Sequence, residues 1–422
     1  MLDRSLAPEI HEFENFTLPQ TEVKTLGNGA KVHYLANSTQ PVLRFEIVFP
    51  AGKWFEKGKG ASYFTSKLLL EGTRNKTSKQ IADILDFYGA SLECNQGFDY
   101  ATLTLYCLSR HFTTLLPLVT EILNEPAFPE KEFELLKQRT AQNIAVERKK
   151  PAYLAMERFT RNVYGQNHPY TTGLDNETIE KIQLSDIRDF YSSQFTIGAA
   201  EIFTCGDLNQ ELKDAIENLQ LHENTNTAVV STPKHEIQAS SLKENITIPD
   251  SLQAAIRYGK TFPLINHPDY IKLTILTKTL GGYFGSRLMK NIREDKGFTY
   301  GIYASLSPRK YSTLFFIGTE VNAAKAGETV VEIDKELELL KNTLISEAEL
   351  QTVKNYIIGK FLSESNTVFD QMDRYKHLIL YNLPLDYFTS YFATIRSTTA
   401  QDLQELSNQY FAKPLNLVTA GA

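Results

Sequence analysis

Cysteine and long apolar runs are scarce in this 422-residue sequence. Its three cysteines, Cys94, Cys107 and Cys205, lie far apart and match no zinc-binding spacing, and their odd number favours a reducing compartment. No stretch approaches the roughly 18 apolar residues of a membrane-spanning helix. The N-terminal residues contain no apolar core of signal-peptide length. These absences predict a cytoplasmic protein, although a chain trimmed of its leader would give the same sequence.

Histidine pairs are also missing. No two of the eight histidines lie within one helical turn of each other: His11, His33, His111, His168, His222, His235, His267 and His377. Two histidines on one helix face are a common local signature of a zinc site. The sequence therefore predicts no bound metal in this chain.

The net charge and the chain length give further information about the partners and the number of domains. The net charge of -6 is mild for this length and speaks against nucleic acid or an anionic membrane as a partner. A hydrophobic share of 42% and a charged share of 22% are ordinary for a globular protein. The chain is too long for one ordinary hydrophobic core, which predicts two domains of roughly 200 residues each.

A weak internal duplication supports two domains. Segments of the first half resemble segments of the second half in the same order, at offsets of 211 to 217 residues. The pairs are YATLTL from Tyr100 with YSTLFF from Tyr311, FPEKEFELLKQ from Phe128 with ISEAELQTVKN from Ile345, SDIRDFYSSQF ending at Phe195 with QDLQELSNQYF ending at Phe411, and EIFTCG ending at Gly206 with NLVTAG ending at Gly421. We predict homologous domains at residues 1–220 and 245–422, joined by a polar linker at 221–244.

Local patterns indicate the elements within the first domain. Asn28-Gly29 between short apolar runs predicts a hairpin, and Thr77 with Gln80 predicts a capping box for a helix that Gly89 can end. Strands are predicted at 44–49, 100–108 and 201–205, with a helix at 60–70 and long helical segments after Leu108 as far as about Gln194. Strands grouped with long helices predict an α+β fold, in which each domain is a largely antiparallel sheet with helices packed on one face.

One helical segment, GKGASYFTSKLLLEGT ending at Thr73, resembles the signature helix of the pitrilysin/insulinase/mitochondrial processing peptidase family. That helix carries H-x-x-E-H, whose histidines bind zinc and whose glutamate activates the zinc-bound water. Aligning Gly72-Thr73 with the family's Gly-Thr places Tyr63, Ser66 and Lys67 at the His, Glu and His positions. Tyrosine and serine are poor zinc ligands and a lysine repels the metal.

The family's third zinc ligand is also replaced. The resemblance places it 76 residues beyond Lys67, at Asn143, whose neutral amide cannot stand in for a carboxylate. Glu147 follows one helical turn later, and without histidines it is interpreted as part of a solvated helix face. The chain is therefore expected to carry a degenerate metal site and no zinc.

A second family motif is intact in TKTLGGYFGSRLMKNIREDKGFTYGIYASLS. A glycine-containing turn, a short helix through Leu288 to Ile292 and a strand at 299–306 are predicted here. The resemblance implies that an arginine and a tyrosine seven residues apart, Arg293 and Tyr300, hydrogen-bond the peptide near the scissile bond. The alternative is that Arg293 pairs with Glu294 or Asp295 and that Tyr300 simply packs. Gly281 and Gly282 either touch substrate or break the helix for packing.

The resemblance implies a role in peptide cleavage. Some bacterial members of the family are heterodimers, in which one subunit supplies H-x-x-E-H and the other supplies the Arg/Tyr pair. This chain is similar to the second subunit, with an extended peptide as substrate and with zinc, the general base and a substrate-pairing edge strand in the partner. A structural scaffold of the same family is the alternative, and a chaperone-like peptide-binding protein is a third hypothesis.

Overall fold

The computed structural model describes residues 16–37, 39–221, 232–240 and 243–421. The first half forms a six-stranded sheet. Its strands are β1 Glu22–Thr25, β2 Lys31–Ala36, β3 Val42–Phe49, β4 Ser91–Gln96, β5 Ala101–Leu108 and β6 Glu201–Gly206. Its helices are α1 Ala61–Leu68, α2 Ser78–Tyr88, α3 Phe112–Asn124, α4 Glu130–Glu147, α5 Pro151–Tyr164, α6 Asn176–Lys181, α7 Leu184–Gln194 and α8 Gln210–Glu217.

The second half forms a five-stranded sheet. Its strands are β7 Lys243–Ile246, β8 Gln253–Phe262, β9 Ile302–Arg309, β10 Ser312–Asn322 and β11 Asn416–Ala420. Its helices are α9 Tyr270–Gly281, α10 Ala326–Asn342, α11 Glu347–Ser363, α12 Val368–Leu380, α13 Tyr387–Ser397 and α14 Ala400–Tyr410, and a π-helix spans Met289–Asp295. No helix of the described ranges is both long and apolar enough to cross a membrane.

The two sheets share one topology. The order is β2-β6-β3-β5-β4 in the first half, with β1 added at the edge, and β7-β11-β8-β10-β9 in the second. In each sheet the outer strand β2 or β7 runs parallel to its neighbour, and the remaining equivalent pairs are antiparallel. The predicted α+β fold with two homologous, largely antiparallel domains is confirmed.

One of the predicted sequence matches is out of register. A side chain at Gly206 would lie 2.2 Å from the Val42 carbonyl oxygen, and one at Gly421 would lie 2.2 Å from that of Gln253, so Val42 and Gln253 are equivalent. Because Val42 pairs with Leu108 and Gln253 pairs with Asn322, β5 corresponds to the last eight residues of β10. The match of YATLTL with YSTLFF was wrong, since β10 has three additional residues at its start.

Each half covers one face of the other half's sheet with a helix. Helix α12 packs Met372 and Tyr375 against Phe203 of β6, and α5 packs Phe159 in one cluster with Val418 of β11. We call the two sheet faces that α12 and α5 cover the inner faces. The opposite faces carry each half's own helices. The helices α5 and α12 are themselves equivalent, because each follows the equivalent helix α4 or α11.

Local capping chemistry explains several helix boundaries. Thr77 and Gln80 form the predicted capping box of α2, and Gly89 ends that helix at a φ of +59°. The hairpin of β1 and β2 turns at Asn28-Gly29 as predicted. The predicted strand at 299–306 instead begins at Ile302 and extends to Arg309. The reason is that the Thr299 hydroxyl binds backbone oxygen of the neighbouring strand and holds the preceding residues as a loop.

Part of the predicted linker is described. Its residues 232–240 lie along the first half, where Gln238 N donates to Tyr164 O at 3.0 Å and Ser240 N donates to Asn162 O at 2.9 Å. Strand β7 already begins at Lys243. Residues 222–231 and 241–242 lie outside the described residues, and the domain boundaries stay a prediction.

Asp402 provides a test of helix capping. Its side chain accepts hydrogen bonds from Lys272 Nζ at 2.6 Å and Thr399 N at 2.8 Å, which lower the pKa of the carboxyl from 3.8 to about 2. A depressed folded-state pKa contributes stability above the unfolded pKa that is lost as the pH falls through about 2. We expect Asp402→Asn to lower the free energy of unfolding by about 1 kcal/mol at neutral pH. Urea unfolding should show this difference shrinking from pH 5 toward pH 2, and a constant difference would contradict the assignment.

Candidate functional site

Arg293 lies on the π-helix that follows the glycine-containing turn after α9. Single turns of π-helix are frequent at functional sites. Ile292 is buried in the second-half core, and Arg293 beside it is half-buried. Its Nε donates to the backbone oxygen of Tyr300 at 3.0 Å, which brings the two predicted residues together. No carboxylate of the described residues forms an ion pair with Arg293, so the predicted pairing with its acidic neighbours is absent.

Tyr300 presents its whole side chain to the outside. The residue is 99% exposed, so the alternative in which Tyr300 packs is wrong. Its loop is nevertheless anchored, because Thr299 Oγ1 donates to Glu320 O at 2.7 Å and Thr319 Oγ1 donates to Gly301 O at 3.0 Å. The backbone is thus held while the phenol is free to contact another molecule.

Phe284 is a member of the site that sequence reasoning missed. Its ring is 62% exposed, and the Arg293 guanidinium carbon lies 4.5 Å from the ring centroid. A cation–π contact of this kind is worth about 0.5–1 kcal/mol at an exposed site and restricts the arginine. The signal that identifies it is an aromatic residue inside the glycine-containing turn.

Close packing accounts for Gly281 and Gly282. Gly281 is buried, and a side chain there would lie 2.6 Å from the backbone nitrogen of Ala304 in β9. A side chain at Gly282 would lie 2.3 Å from the Lys278 side chain. Both glycines therefore allow α9 to end against the sheet. Contact of either glycine with substrate stays a prediction.

The positions predicted to correspond to the family's first zinc ligands lie on α1, and their side chains do not fit a metal. Tyr63 is half-buried against the first-half core, Ser66 is buried beside Cys94, and Lys67 is exposed. Burial raises the pKa of the Cys94 thiol to about 12, so it does not supply a thiolate near neutral pH. A phenol, a buried hydroxyl and an ammonium do not form a zinc ligand set.

The position predicted for the third ligand is equally unsuited to a metal. Asn143 is exposed on α4, and Glu147 forms an ion pair with Lys150 at 2.5 Å, as expected for a solvated helix face. Across the described ranges, no group of three His, Cys, Asp or Glu side chains is arranged to hold a metal ion.

Two family models match the sequence of this chain. Residues 31–174 match the model described as insulinase (peptidase family M16), and residues 181–357 match the model described as peptidase M16 inactive domain. The chain belongs to peptidase family M16. Within this M16 chain, the four positions predicted for metal ligands fall in the first match, and Arg293 and Tyr300 fall in the second.

Bacterial relatives cover most of the M16 chain. A Bacillus subtilis protein named uncharacterized zinc protease YmxG is 22% identical over 354 residues, which is 83% of this chain and 86% of the relative. A Helicobacter pylori protein named non-peptidase homolog YmxG is 22% identical over 386 residues, 90% of this chain and 89% of the relative. Subunit 1 of the Bos taurus cytochrome b-c1 complex is 23% identical over 214 residues, 49% of this chain and 43% of the relative.

Solved structures share the fold. The peptidase M16 inactive domain from Pseudomonas fluorescens superposes with a TM-score of 0.84 at 23% identity, covering 96% of this chain and 98% of that chain. A protease from Helicobacter pylori superposes with a TM-score of 0.85 at 22% identity, covering 96% of this chain and 100% of that chain. The similarity therefore extends over both halves and their packing.

Proposed function

We propose that this chain is the substrate-binding, non-metal subunit of a heterodimeric zinc metallopeptidase that cleaves peptides or short unfolded proteins. The observation that carries the proposal is the Arg293–Tyr300 pair. Its guanidinium is held by Tyr300 O at 3.0 Å and by the Phe284 ring, and its phenol is 99% exposed. In a purely structural pair, the arginine would be joined to a carboxylate and the tyrosine ring would be buried, and neither is found among the described residues.

The chemistry of the pair suits a peptide near its scissile bond. Arginine offers a rigid fork of permanent donors and tyrosine adds a phenolic donor. Both groups can bind a substrate carbonyl and the negative oxygen that develops in the transition state. The backbone of Gly281 and Gly282 would border the same peptide.

The partner completes the site in this proposal. A homologous H-x-x-E-H subunit supplies the zinc, the general-base glutamate and an edge strand for the extended substrate. Two copies of this chain cannot do so, because Tyr63, Ser66, Lys67 and Asn143 replace the ligands in both. Neither nucleic acid nor membrane is required, and the cytoplasmic location stays a prediction.

A scaffold role is the second candidate. The observation that favours it is the similarity to subunit 1 of the mitochondrial cytochrome b-c1 complex, whose name makes that relative part of a multi-subunit complex. A scaffold has no need of an exposed Arg293–Tyr300 pair, so we favour the peptidase subunit. The name of the Helicobacter pylori relative, a non-peptidase homolog, agrees with inactivity of the isolated chain.

Hydrolysis of a quenched fluorescent peptide tests the proposal. We expect no cleavage by this chain alone or by the H-x-x-E-H homologue alone, and cleavage by their mixture that a chelator abolishes. The expectation follows because neither subunit holds both the metal and the Arg293–Tyr300 pair.

Two outcomes would contradict the proposal that the homologue supplies the metal and this chain supplies the Arg293–Tyr300 pair. Cleavage by this chain alone would reveal another mechanism in it. Equal cleavage by the homologue with and without this chain would favour the scaffold. A size-exclusion profile of each mixture distinguishes failure of assembly from failure of catalysis.

A further inference from the structure

The inner face of the first sheet carries a buried carboxylate that is fully compensated. Glu46 of β3 is 5% exposed. Lys376 Nζ lies 3.0 and 2.9 Å from its two oxygens, Arg44 Nε lies at 3.4 Å, and Thr104 Oγ1 donates at 3.4 Å. A buried charge is tolerated in this way when opposite charges and donors surround it.

The equivalent position in the second sheet is Arg257. It lies four residues beyond Gln253, as Glu46 lies four residues beyond the equivalent Val42. The duplication has therefore reversed the sign of the charge on the inner face. Three side chains surround Glu46, and each has a counterpart around Arg257. The sheet register gives Ala255 for Arg44 and Gly318 for Thr104. Lys376 is the ninth residue of α12, and the ninth residue of the equivalent helix α5 is Phe159.

None of these counterparts compensates Arg257. The residue is 6% exposed, its Nη1 donates to the backbone oxygens of Ile256 at 2.9 Å and Thr319 at 3.4 Å, and its Nε has no partner. Glu320 lies further along β10 on the same face but forms no ion pair with it. Among the residues that the structure describes, no carboxylate lies within ion-pair distance of Arg257. A buried guanidinium without an anion favours binding of one from outside.

Gly318 and the two residues paired with it across the sheet form a row that shows how an anion can reach Arg257. Gly318 pairs with Arg257 on one side and with Tyr303 on the other. The Tyr303 ring lies over the glycine, since its hydroxyl and Cζ are 2.7 Å from where a Cβ would be. Gly318 and Arg257 are paired on neighbouring strands, one strand spacing or ~4.8 Å apart, so the hydroxyl lies on the same sheet face as Arg257 and over the next strand. Tyr303 is 43% exposed, so this side of the row is open.

We propose that Arg257, with the Tyr303 hydroxyl beside it, binds a carboxylate of the peptide substrate, either the C-terminal group or an Asp or Glu side chain. The inference rests on the proposed function, because the loop carrying Tyr300 is hydrogen-bonded to β10 at Thr319 and Glu320, next to this row. The guanidinium fork matches a carboxylate and the phenol adds a donor. The peptide thus has an anionic anchor near the scissile-bond contacts.

Peptide binding tests the proposal. The protein is the full chain assembled with its H-x-x-E-H homologue, in which the motif glutamate is replaced by glutamine to prevent cleavage. The probes are a fluorescein-labelled peptide with a free C-terminus, its amidated form, and the amidated form with one glutamine changed to glutamate. Fluorescence anisotropy gives the Kd of each probe for the wild type, Arg257→Met, Arg257→Lys and the exposed-arginine control Arg188→Met.

We expect at least one carboxylate probe to bind wild type and Arg188→Met about tenfold or more tightly than the neutral probe. Arg257→Met should lose that preference with little change for the neutral probe, and Arg257→Lys should keep part of it. Preference for the free terminus or for the glutamate identifies the source of the carboxylate. The melting temperature of Arg257→Met should not fall, because a buried uncompensated charge has been removed.

Other outcomes overturn the inference and separate it from the proposed function. Equal binding of all probes to wild type means that no carboxylate site exists, while peptide binding itself survives. A preference that Arg257→Met retains places the site elsewhere. If Arg257→Met loses the preference only because it no longer assembles with the homologue, then Arg257 pairs with a carboxylate of that subunit and not with the substrate. Failure of every probe to bind wild type contradicts both the inference and the proposed function.

Discussion

Replacing Arg293 with alanine is expected to lower kcat/KM of the assembled peptidase by about a hundredfold or more without changing assembly. The guanidinium forms no ion pair in the described structure and is held only by Tyr300 O and the Phe284 ring. Its loss therefore removes few contacts within the chain. A donor aimed at a developing oxyanion is worth about 10²–10³ in rate, and steady-state hydrolysis of a quenched peptide measures the change.

Matched variants separate this effect from a local disturbance. Lys290→Ala removes an exposed cation from the same segment and should leave kcat/KM within about twofold, because surface changes are usually small. Tyr300→Phe removes only the phenolic donor, and we expect roughly a tenfold loss. An unchanged kcat/KM in Arg293→Ala, with assembly verified by size exclusion, would disprove the role of that arginine.

Replacing Lys376 with methionine is expected to lower the free energy of unfolding by about 3 kcal/mol. Lys376 on α12 contacts both oxygens of the buried Glu46 on β3, at 3.0 and 2.9 Å, and thereby joins the two halves. Its loss leaves the buried carboxylate with one more distant cation, Arg44 at 3.4 Å, and a long hydrogen bond from Thr104 Oγ1 at 3.4 Å. Urea unfolding followed by circular dichroism, compared through the slope and midpoint, measures the difference.

A double-mutant cycle provides the control. Glu46→Gln combined with Lys376→Met should recover part of the loss, because the uncompensated charge has gone. Lys376→Arg keeps the charge and should cost less than the methionine variant. A loss below about 0.5 kcal/mol in Lys376→Met would mean that this pair is solvated and does not stabilise the interface between halves.

Prediction from sequence succeeded where a feature depends on neighbouring residues. The capping box at Thr77, the turn at Asn28-Gly29 and the helix end at Gly89 each follow from backbone chemistry within a few positions. The duplication was visible because equivalent elements kept similar patterns. The start of β9 was misplaced, since Thr299 bonds to Glu320 of β10, which is distant in sequence.

The same distinction between local and distant contacts applies to the candidate site. The residue types at positions 63, 66 and 67 argued against zinc, and the spacing of Arg293 and Tyr300 matched the family motif. The contact of Arg293 with Phe284 and the complete exposure of Tyr300 were not predictable, because they depend on how the π-helix and the loop lie against the sheet.

The sequence by itself indicated a duplicated chain that resembles this peptidase family, with Tyr63, Ser66 and Lys67 at the positions predicted for the metal ligands and with Arg293 and Tyr300 seven residues apart in the second half. These properties belong to residue types and to short spacings. The tertiary structure alone decided that α5 and α12 cross to the opposite sheets, and that Glu46 is compensated while Arg257 is not. The reason is physical: burial and charge compensation depend on side chains that are close in space but hundreds of residues apart in the chain.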